Sequence, residues 1–233
     1  MSHFDQVEAR FADLKYMRSD QAKWIRDFIL GKDVHDILEI GFYHGKSTAY
    51  MAAALEDANR GQVVTIDLES ARQREPNITQ VMDELGLSDR VRPIFAHRSY
   101  TWELGKLVRE APRPQFDLCY FDGGHTWDPT GFGFVLVDML MKPGGWVIFD
   151  DINWSIDASA GERDGPIPRH WRGCDAEERA TPAVKLVFDT LVPHLGYTDR
   201  KIVREHGWGV ARKPLGPGNR KAKDGLFSRL FGR

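Results

Sequence analysis

The chain has 233 residues, 42% of them hydrophobic and 28% charged, and a formal net charge of −2. This length is typical of one large α/β domain, and the near balance of charge argues against nucleic acid as the main ligand. Two cysteines in no metal-binding pattern, no apolar run of roughly 18 residues and no secretory signal together predict a cytoplasmic protein without stable membrane insertion.

The N-terminal residues 1–30 are predicted to form a helical segment that packs on the remaining domain. Apolar residues recur there at helical spacing, as in the pair Val7 and Phe11. Gly31 then provides a typical helix end. The main domain is therefore expected to occupy residues 31–212.

Residues 36–48 combine a buried strand, a glycine turn and the start of a helix. The strand contains Glu39, the turn contains Gly41 and Gly45, and the helical pattern begins near Ser47. Glycine lets a ligand approach the backbone, and the free N–H groups of a first helical turn favour acceptor oxygens. This stretch predicts a nucleotide-type binding site.

Three interpretations of the glycine turn are open. A phosphate-binding P-loop needs four residues between its first glycine and the Gly-Lys-Ser triplet, but only three separate Gly41 from Gly45. The turn could also be purely structural. A site for a ribose and a base requires a second strand that ends in an acid about 20 residues later, and the β-branched run before Asp67 supplies one.

The first two motifs of class I S-adenosylmethionine-dependent O-methyltransferases resemble two stretches of this chain, Glu39-Ile40-Gly41-x-Tyr43-x-Gly45-x-Ser47 and Val64-Thr65-Ile66-Asp67. The catechol O-methyltransferase branch is similar, as is a branch that includes macrolide-sugar O-methyltransferases and cephalosporin-hydroxylase-like proteins. The resemblance covers about residues 35–212. It implies an α/β, Rossmann-like fold: a seven-stranded, mostly parallel sheet with helices on both faces and a C-terminal antiparallel hairpin.

The resemblance also implies which residues contact the cofactor, S-adenosyl-L-methionine. The glycine turn would lie beside its methionine part, with Glu39 shaping the pocket, and Asp67 would bind the ribose. Ser99 lies where the resembled enzymes contact adenine, although a serine between a strand and a helix is also a common N-cap. The cofactor-binding candidates are Glu39, Gly41, Tyr43, Gly45, Ser47, Asp67, Ser99 and Asp122.

Acidic residues end two further predicted strands. Asp122 ends the apolar run over 116–122, and Asp150 and Asp151 follow the run over 146–149. Ligands bind outside the carboxyl ends of parallel strands, so these acids should reach the same edge as the glycine turn. Carboxylates suit Mg²⁺ or Mn²⁺, and the resembled enzymes keep metal ligands here. The alternative is that the acids are ordinary strand-end caps.

His125, three residues after Asp122, is the candidate catalytic base. Instead of acting as the base, His125 could orient a carboxylate or contact the substrate. The expected reaction is O-methylation of a small hydroxylated molecule of sugar, polyketide or phenolic type, with N- and C-methylation left open. A non-catalytic module that binds S-adenosylmethionine or a nucleotide, and a P-loop-like phosphate enzyme, are the alternative functions.

Two further segments are rich in loop-forming or basic residues. Residues 152–181 are predicted to form a substrate lid; the candidate pocket residues in it are Trp154, His170, Trp171 and Arg172. Residues 213–233 are predicted to form a basic, disordered tail. Assembly into a homo-oligomer is left open.

Overall fold

The fold is that of a computed structural model, which describes residues 1–159, 171 and 173–216. Its helices are α1 (His3–Phe11), α2 (Ser19–Gly31), α3 (Lys46–Asp57), α4 (Ile78–Leu85), α5 (Tyr100–Arg109), α6 (Trp127–Leu140), α7 (Ile156–Ser159), α8 (Ala176–Ala180) and α9 (Ala183–His194). Its strands are β1 (Asp36–Ile40), β2 (Gln62–Leu68), β3 (Val91–Ala96), β4 (Phe116–Phe121), β5 (Met141–Phe149), β6 (Thr198–Val203) and β7 (Trp208–Arg212).

The seven strands form one sheet in the order β3-β2-β1-β4-β5-β7-β6. Neighbouring strands are parallel except at β7, which pairs antiparallel with both β5 and β6. The predicted Rossmann-like architecture with its C-terminal antiparallel hairpin is confirmed. Because the strand order reverses between β1 and β4, the carboxyl ends of these two strands flank the crevice in which such sheets bind ligands.

Helices cover both faces of the sheet because alternate strand residues point to opposite sides. Ile37 of β1 belongs to a core shared with α1 to α4. The next residue, Leu38, belongs to a second core shared with α5, α6 and α9. The N-terminal helices therefore pack against α3, and the chain between them reaches the carboxyl edge of the sheet. No helix among the described residues is long and apolar enough to cross a bilayer.

Two local predictions differ from the structure. The strand expected over 146–149 begins earlier, at Met141, because the Pro-Gly-Gly stretch stays in the strand as an irregularity opposite Phe116 and Leu118. The Thr-Pro pair at 181–182 of the sequence predicts Thr181 as the N-cap of the last long helix. The Thr181 hydroxyl instead donates to the Glu177 carbonyl, and Pro182 is the N-cap of α9.

Candidate active site

A cavity of about 920 Å³ lies along the carboxyl edge of the sheet, where ligand sites in this class of fold are found. Most of the predicted site residues line it: Gly41, Tyr43, Ser47, Asp67, Ser99, Asp122, His125, Asp150 and Asp151. Glu39 and Gly45 are not among its lining residues. The cofactor, metal and catalytic roles of all these residues stay predictions.

Glu39 lies beneath the cavity and is fully buried. Its carboxylate accepts hydrogen bonds from the hydroxyls of Ser47 and Thr48 and, at 2.6 Å, from Thr65. Burial raises the pKa of Glu39 to about 7, against the opposing effect of these hydrogen bonds. Glu39 therefore fastens the start of α3 to the sheet, and the two hydroxyls expected as helix caps serve this contact instead.

The two glycines of the turn are required by the packing of the protein itself. Gly41 has φ +86°, and a Cβ there would lie 2.0 Å from the Asp122 carbonyl oxygen. Gly45 has φ +91°, and a Cβ there would lie 2.7 Å from Cγ1 of Ile78. Both positions thus need glycine for backbone conformation and for close packing.

Asp67 closes the glycine turn from the neighbouring strand. Its Oδ2 accepts hydrogen bonds from the backbone N–H groups of Phe42 (3.1 Å) and Tyr43 (2.7 Å). Its Oδ1 accepts a 2.6 Å hydrogen bond from the N–H of Leu68. Oδ2 has both of its lone pairs engaged, whereas Oδ1 has one left, so Asp67 can also accept a hydroxyl donor from the cavity through Oδ1.

Lys46, the lysine of the Gly-Lys-Ser triplet, does not face a phosphate site. Its Nζ donates to the carbonyls of Ala12 (3.0 Å) and Leu14 (2.8 Å), and the residue is only 6% exposed. Together with the turn N–H groups that Asp67 occupies, this arrangement leaves no P-loop cradle. Lys46 instead holds the segment between α1 and α2 beside the cavity.

Asp122, His125 and Asp151 meet at one point of the cavity. The Nε2 atom of His125 lies 3.4 Å from Oδ1 of Asp122 and 3.4 Å from Oδ2 of Asp151. One ligand atom from each of the three residues falls within 4.8 Å of the others. The same His125 Nε2 is buried and has no hydrogen-bond partner among the described residues.

This group fits a divalent cation. Burial and the neighbouring Asp151 charge raise the pKa of Asp122 well above its usual value, and burial lowers the pKa of His125 against the opposing effect of the Asp151 and Asp150 charges. A cation would relieve the mutual repulsion of the acids, and the unpaired imidazole nitrogen could then either join its ligands or stay free to act as a base. Carboxylate oxygens favour Mg²⁺ or Mn²⁺, and an imidazole in the set would shift the preference towards Mn²⁺.

Asp150, the third acid predicted as a metal ligand, is turned towards the protein. Its Oδ1 accepts hydrogen bonds from Nε1 of Trp208 (2.8 Å) and from the backbone N–H of Asp151 (2.7 Å), and its Oδ2 accepts one from the Tyr120 hydroxyl. Burial raises the pKa of Asp150 to about 7. Asp151 has φ +51°, and Asp150 holds the backbone in this left-handed conformation.

Ser99 caps a helix and also lines the cavity, while its contact with adenine stays a prediction. Its side chain accepts a 3.4 Å hydrogen bond from the N–H of Trp102 as the N-cap of α5, and it also lines the cavity.

Two tryptophans of the predicted lid pack near the candidate base. The ring centroid of Trp154 lies 5.1 Å from that of His125, and the ring centroid of Trp171 lies 5.3 Å from that of Trp154. Residues 160–170 and 172, which include His170 and Arg172, lie outside the described residues, as does the tail beyond 216.

Several cavity residues carried no signal in the sequence. Arg18 lies between α1 and α2, Arg74 lies between β2 and α4, and Tyr120 reads as an ordinary core residue of β4. Trp208, which does not line the cavity but donates to Asp150, follows that residue by 58 positions. A basic residue within a loop that follows a motif strand, as with Arg74 after β2, is the one sequence signal that could have been used.

The model of a family described as a methyltransferase domain matches residues 38–152. None of the curated proteins compared with the chain matches it.

Solved structures that share the fold include three methyltransferases. TomG, an O-methyltransferase from Streptomyces achromogenes solved with S-adenosylmethionine, has a TM-score of 0.63 and 19% identity over 93% of this chain and 91% of that one. An O-methyltransferase from Bacillus cereus solved with S-adenosylhomocysteine has a TM-score of 0.61 and 18% identity over 90% and 89%. A methyltransferase from Podospora anserina, also solved with S-adenosylhomocysteine, has a TM-score of 0.61 and 20% identity over 91% and 85%.

Proposed function

We propose that this chain, whose residues 38–152 match a family described as a methyltransferase domain, is a class I S-adenosylmethionine-dependent methyltransferase that methylates a hydroxyl of a small molecule with the help of a divalent metal. The observation that carries this proposal is the meeting of Asp122, His125 and Asp151 in the cavity. The alternative of a non-catalytic binding module would have no use for such a group. Sugar, polyketide and phenolic hydroxyls are the proposed acceptors.

The metal would be held by Asp122 and Asp151. Bound there, a divalent ion would lower the pKa of an acceptor hydroxyl, and the cofactor would supply a methyl group on its sulfonium for in-line attack. Asp150 is proposed as a positioning residue, because its hydrogen bonds to Tyr120 and Trp208 fix the backbone of Asp151. The glycine turn and Asp67 are proposed to hold the methionine and ribose parts of the cofactor, and Ser99 its adenine.

His125 is proposed to accept the acceptor's proton at Nε2. Burial lowers the pKa of His125, which favours the neutral imidazole that can take a proton. The ring of Trp154, tilted by 37° against the imidazole, holds it in place. His125→Gln should then lower kcat by about 100-fold to 10,000-fold while leaving Mn²⁺ affinity nearly unchanged. A large loss of Mn²⁺ affinity would make His125 a metal ligand instead of the base.

The reaction itself is tested with S-adenosylmethionine labelled in its methyl group and a panel of catechol and sugar acceptors. Label should pass to an acceptor oxygen in the presence of Mg²⁺ or Mn²⁺ and stop in excess EDTA. Transfer that EDTA does not affect would contradict the role of the metal. Cofactor binding with no transfer to any acceptor class would favour the non-catalytic module.

A further inference from the structure

The methionine part of the cofactor carries an ammonium and a carboxylate, and the carboxylate enters a cavity whose floor is already acidic. Four acids, Asp67, Asp122, Asp150 and Asp151, line this cavity. A carboxylate taken out of water needs a cation or several hydrogen-bond donors. The backbone N–H groups of Phe42 and Tyr43, which would be the nearest donors of the glycine turn, already bind Asp67.

Five lysine and arginine side chains line the cavity among the described residues: Lys15, Arg18, Lys46, Arg74 and Arg98. Two of them are already engaged by the protein. Lys46 donates to two backbone carbonyls. Arg18 pairs with Asp20 through two hydrogen bonds, of 3.1 and 3.0 Å, and also donates to the Glu205 carbonyl.

Two more of these five side chains, Arg98 and Lys15, are poorly suited to bind the carboxylate. Arg98 follows β3, which is separated by β2 from β1 and its glycine turn, so it lies towards the end of the cavity marked by Ser99. Lys15 is exposed and makes no ion pair among the described residues, so its flexible side chain would lose conformational entropy on binding.

Arg74 is the remaining cation, and its position is fixed. The carbon centre of its guanidinium lies 3.9 Å from the ring centroid of Tyr43, a residue of the glycine turn. The side chain is half-buried and makes no ion pair or hydrogen bond within the described part of the chain. A guanidinium stacked on an aromatic ring keeps its N–H edge free, and that edge matches the two oxygens of a carboxylate.

We propose that Arg74, held on the ring of Tyr43, binds the carboxylate of the cofactor's methionine part. This inference rests on the assignment of S-adenosylmethionine as cofactor and is independent of the metal and of the acceptor. It makes Arg74 the residue that distinguishes a complete cofactor from one without its amino-acid group.

Calorimetric titrations of the full chain with two probes test this role. S-adenosylhomocysteine carries the carboxylate, whereas 5′-methylthioadenosine keeps the nucleoside and lacks the amino-acid group. Arg74→Gln should weaken S-adenosylhomocysteine binding by about tenfold to 100-fold and leave methylthioadenosine binding unchanged. Arg72→Gln is the matched control, because Arg72 stacks on Phe95 at 3.6 Å in the same segment but does not line the cavity.

Three results would overturn the inference. The first is that Arg74→Gln binds S-adenosylhomocysteine as tightly as the unmodified protein does. The second is that Arg74→Gln loses affinity for both probes equally, as a purely structural role of Arg74 would require. A selective loss in Lys15→Gln with none in Arg74→Gln would move the carboxylate to Lys15. If the unmodified protein bound neither probe, the cofactor assignment itself would fail, which is a separate result from a failure confined to Arg74.

Discussion

At the scale of single residues, a fully buried carboxyl group beneath the cavity has the clearest energetic consequence. Glu39 accepts hydrogen bonds from three hydroxyls, and burial nevertheless raises its pKa from 4.5 to about 7. The folded protein therefore holds a proton on Glu39 at pH values where the unfolded chain has released it. This residue links the stability of the glycine turn to pH.

The substitution Glu39→Gln tests this link. Between pH 4.5 and 7 the folded state binds more protons than the unfolded state, so the contribution of Glu39 to stability is greatest below pH 4.5 and is lost as pH rises through 7. The unmodified protein should lose roughly 3 kcal/mol of unfolding free energy from this group across that window. Glu39→Gln should lack that loss.

Urea unfolding of both proteins at pH 4.5 and pH 8 measures the difference. Glu177→Gln, on an exposed carboxylate that makes no ion pair among the described residues, controls for the change in charge. If the unmodified protein and Glu39→Gln lost the same unfolding free energy between these two pH values, the proton on Glu39 would not be coupled to folding.

Sequence reasoning at this scale identified the correct residue types but not all of their contacts. The glycines, Glu39 and Asp67 are recognisable because their spacing is local and their chemistry is restrictive. That Glu39 faces Ser47 and Thr48 instead of the cavity depends on how α3 packs onto β1. This packing angle has no counterpart in a linear motif.

At the scale of elements, the glycine turn is built against the loop that follows β4. Gly41→Ala would place a Cβ 2.0 Å from the Asp122 carbonyl, in addition to the strain of φ +86°. Gly86→Ala is the matched control, because it has φ +67° and no atom within 4 Å of its Cβ.

Gly86→Ala should cost about 1 kcal/mol of unfolding free energy, from backbone strain alone. Gly41→Ala should cost at least twice as much and weaken S-adenosylhomocysteine binding, because the Asp122 loop must move. Chemical unfolding and calorimetry measure the two effects. Equal costs for the two substitutions would contradict the proposed contact between the loops.

The elements themselves were predictable where the pattern is strong and local. The apolar runs of β1, β2 and β4 and the C-terminal hairpin of β6 and β7 are read directly from the sequence. The early start of β5 could not be read from the sequence, because Pro143 with two following glycines is typical of a turn. In the structure, pairing with β4 outweighs that turn preference. Tertiary pairing decided this boundary.

At the scale of the whole molecule, the cavity is assembled from segments that are far apart in the chain. Trp208 in β7 fixes Asp150 after β5, and Arg18 before α2 donates to Glu205 in the β6–β7 turn. The first contact joins the C-terminal hairpin to the end of β5, and the second joins the N-terminal region to the same hairpin. Such contacts follow from the strand order, so they could be inferred only once the fold was known.

The central claim is that one cavity holds the cofactor and a divalent ion side by side. The most direct test is electron paramagnetic resonance of free Mn²⁺ during titration of the full chain in the presence of S-adenosylhomocysteine. We predict one bound ion per chain, with binding lost in Asp122→Asn and kept in Asp189→Asn, an exposed control. Affinity should rise with pH, because burial raises the pKa of Asp122 and the ion must displace its proton. No bound Mn²⁺, or equal binding by Asp122→Asn and the unmodified protein, would contradict the account.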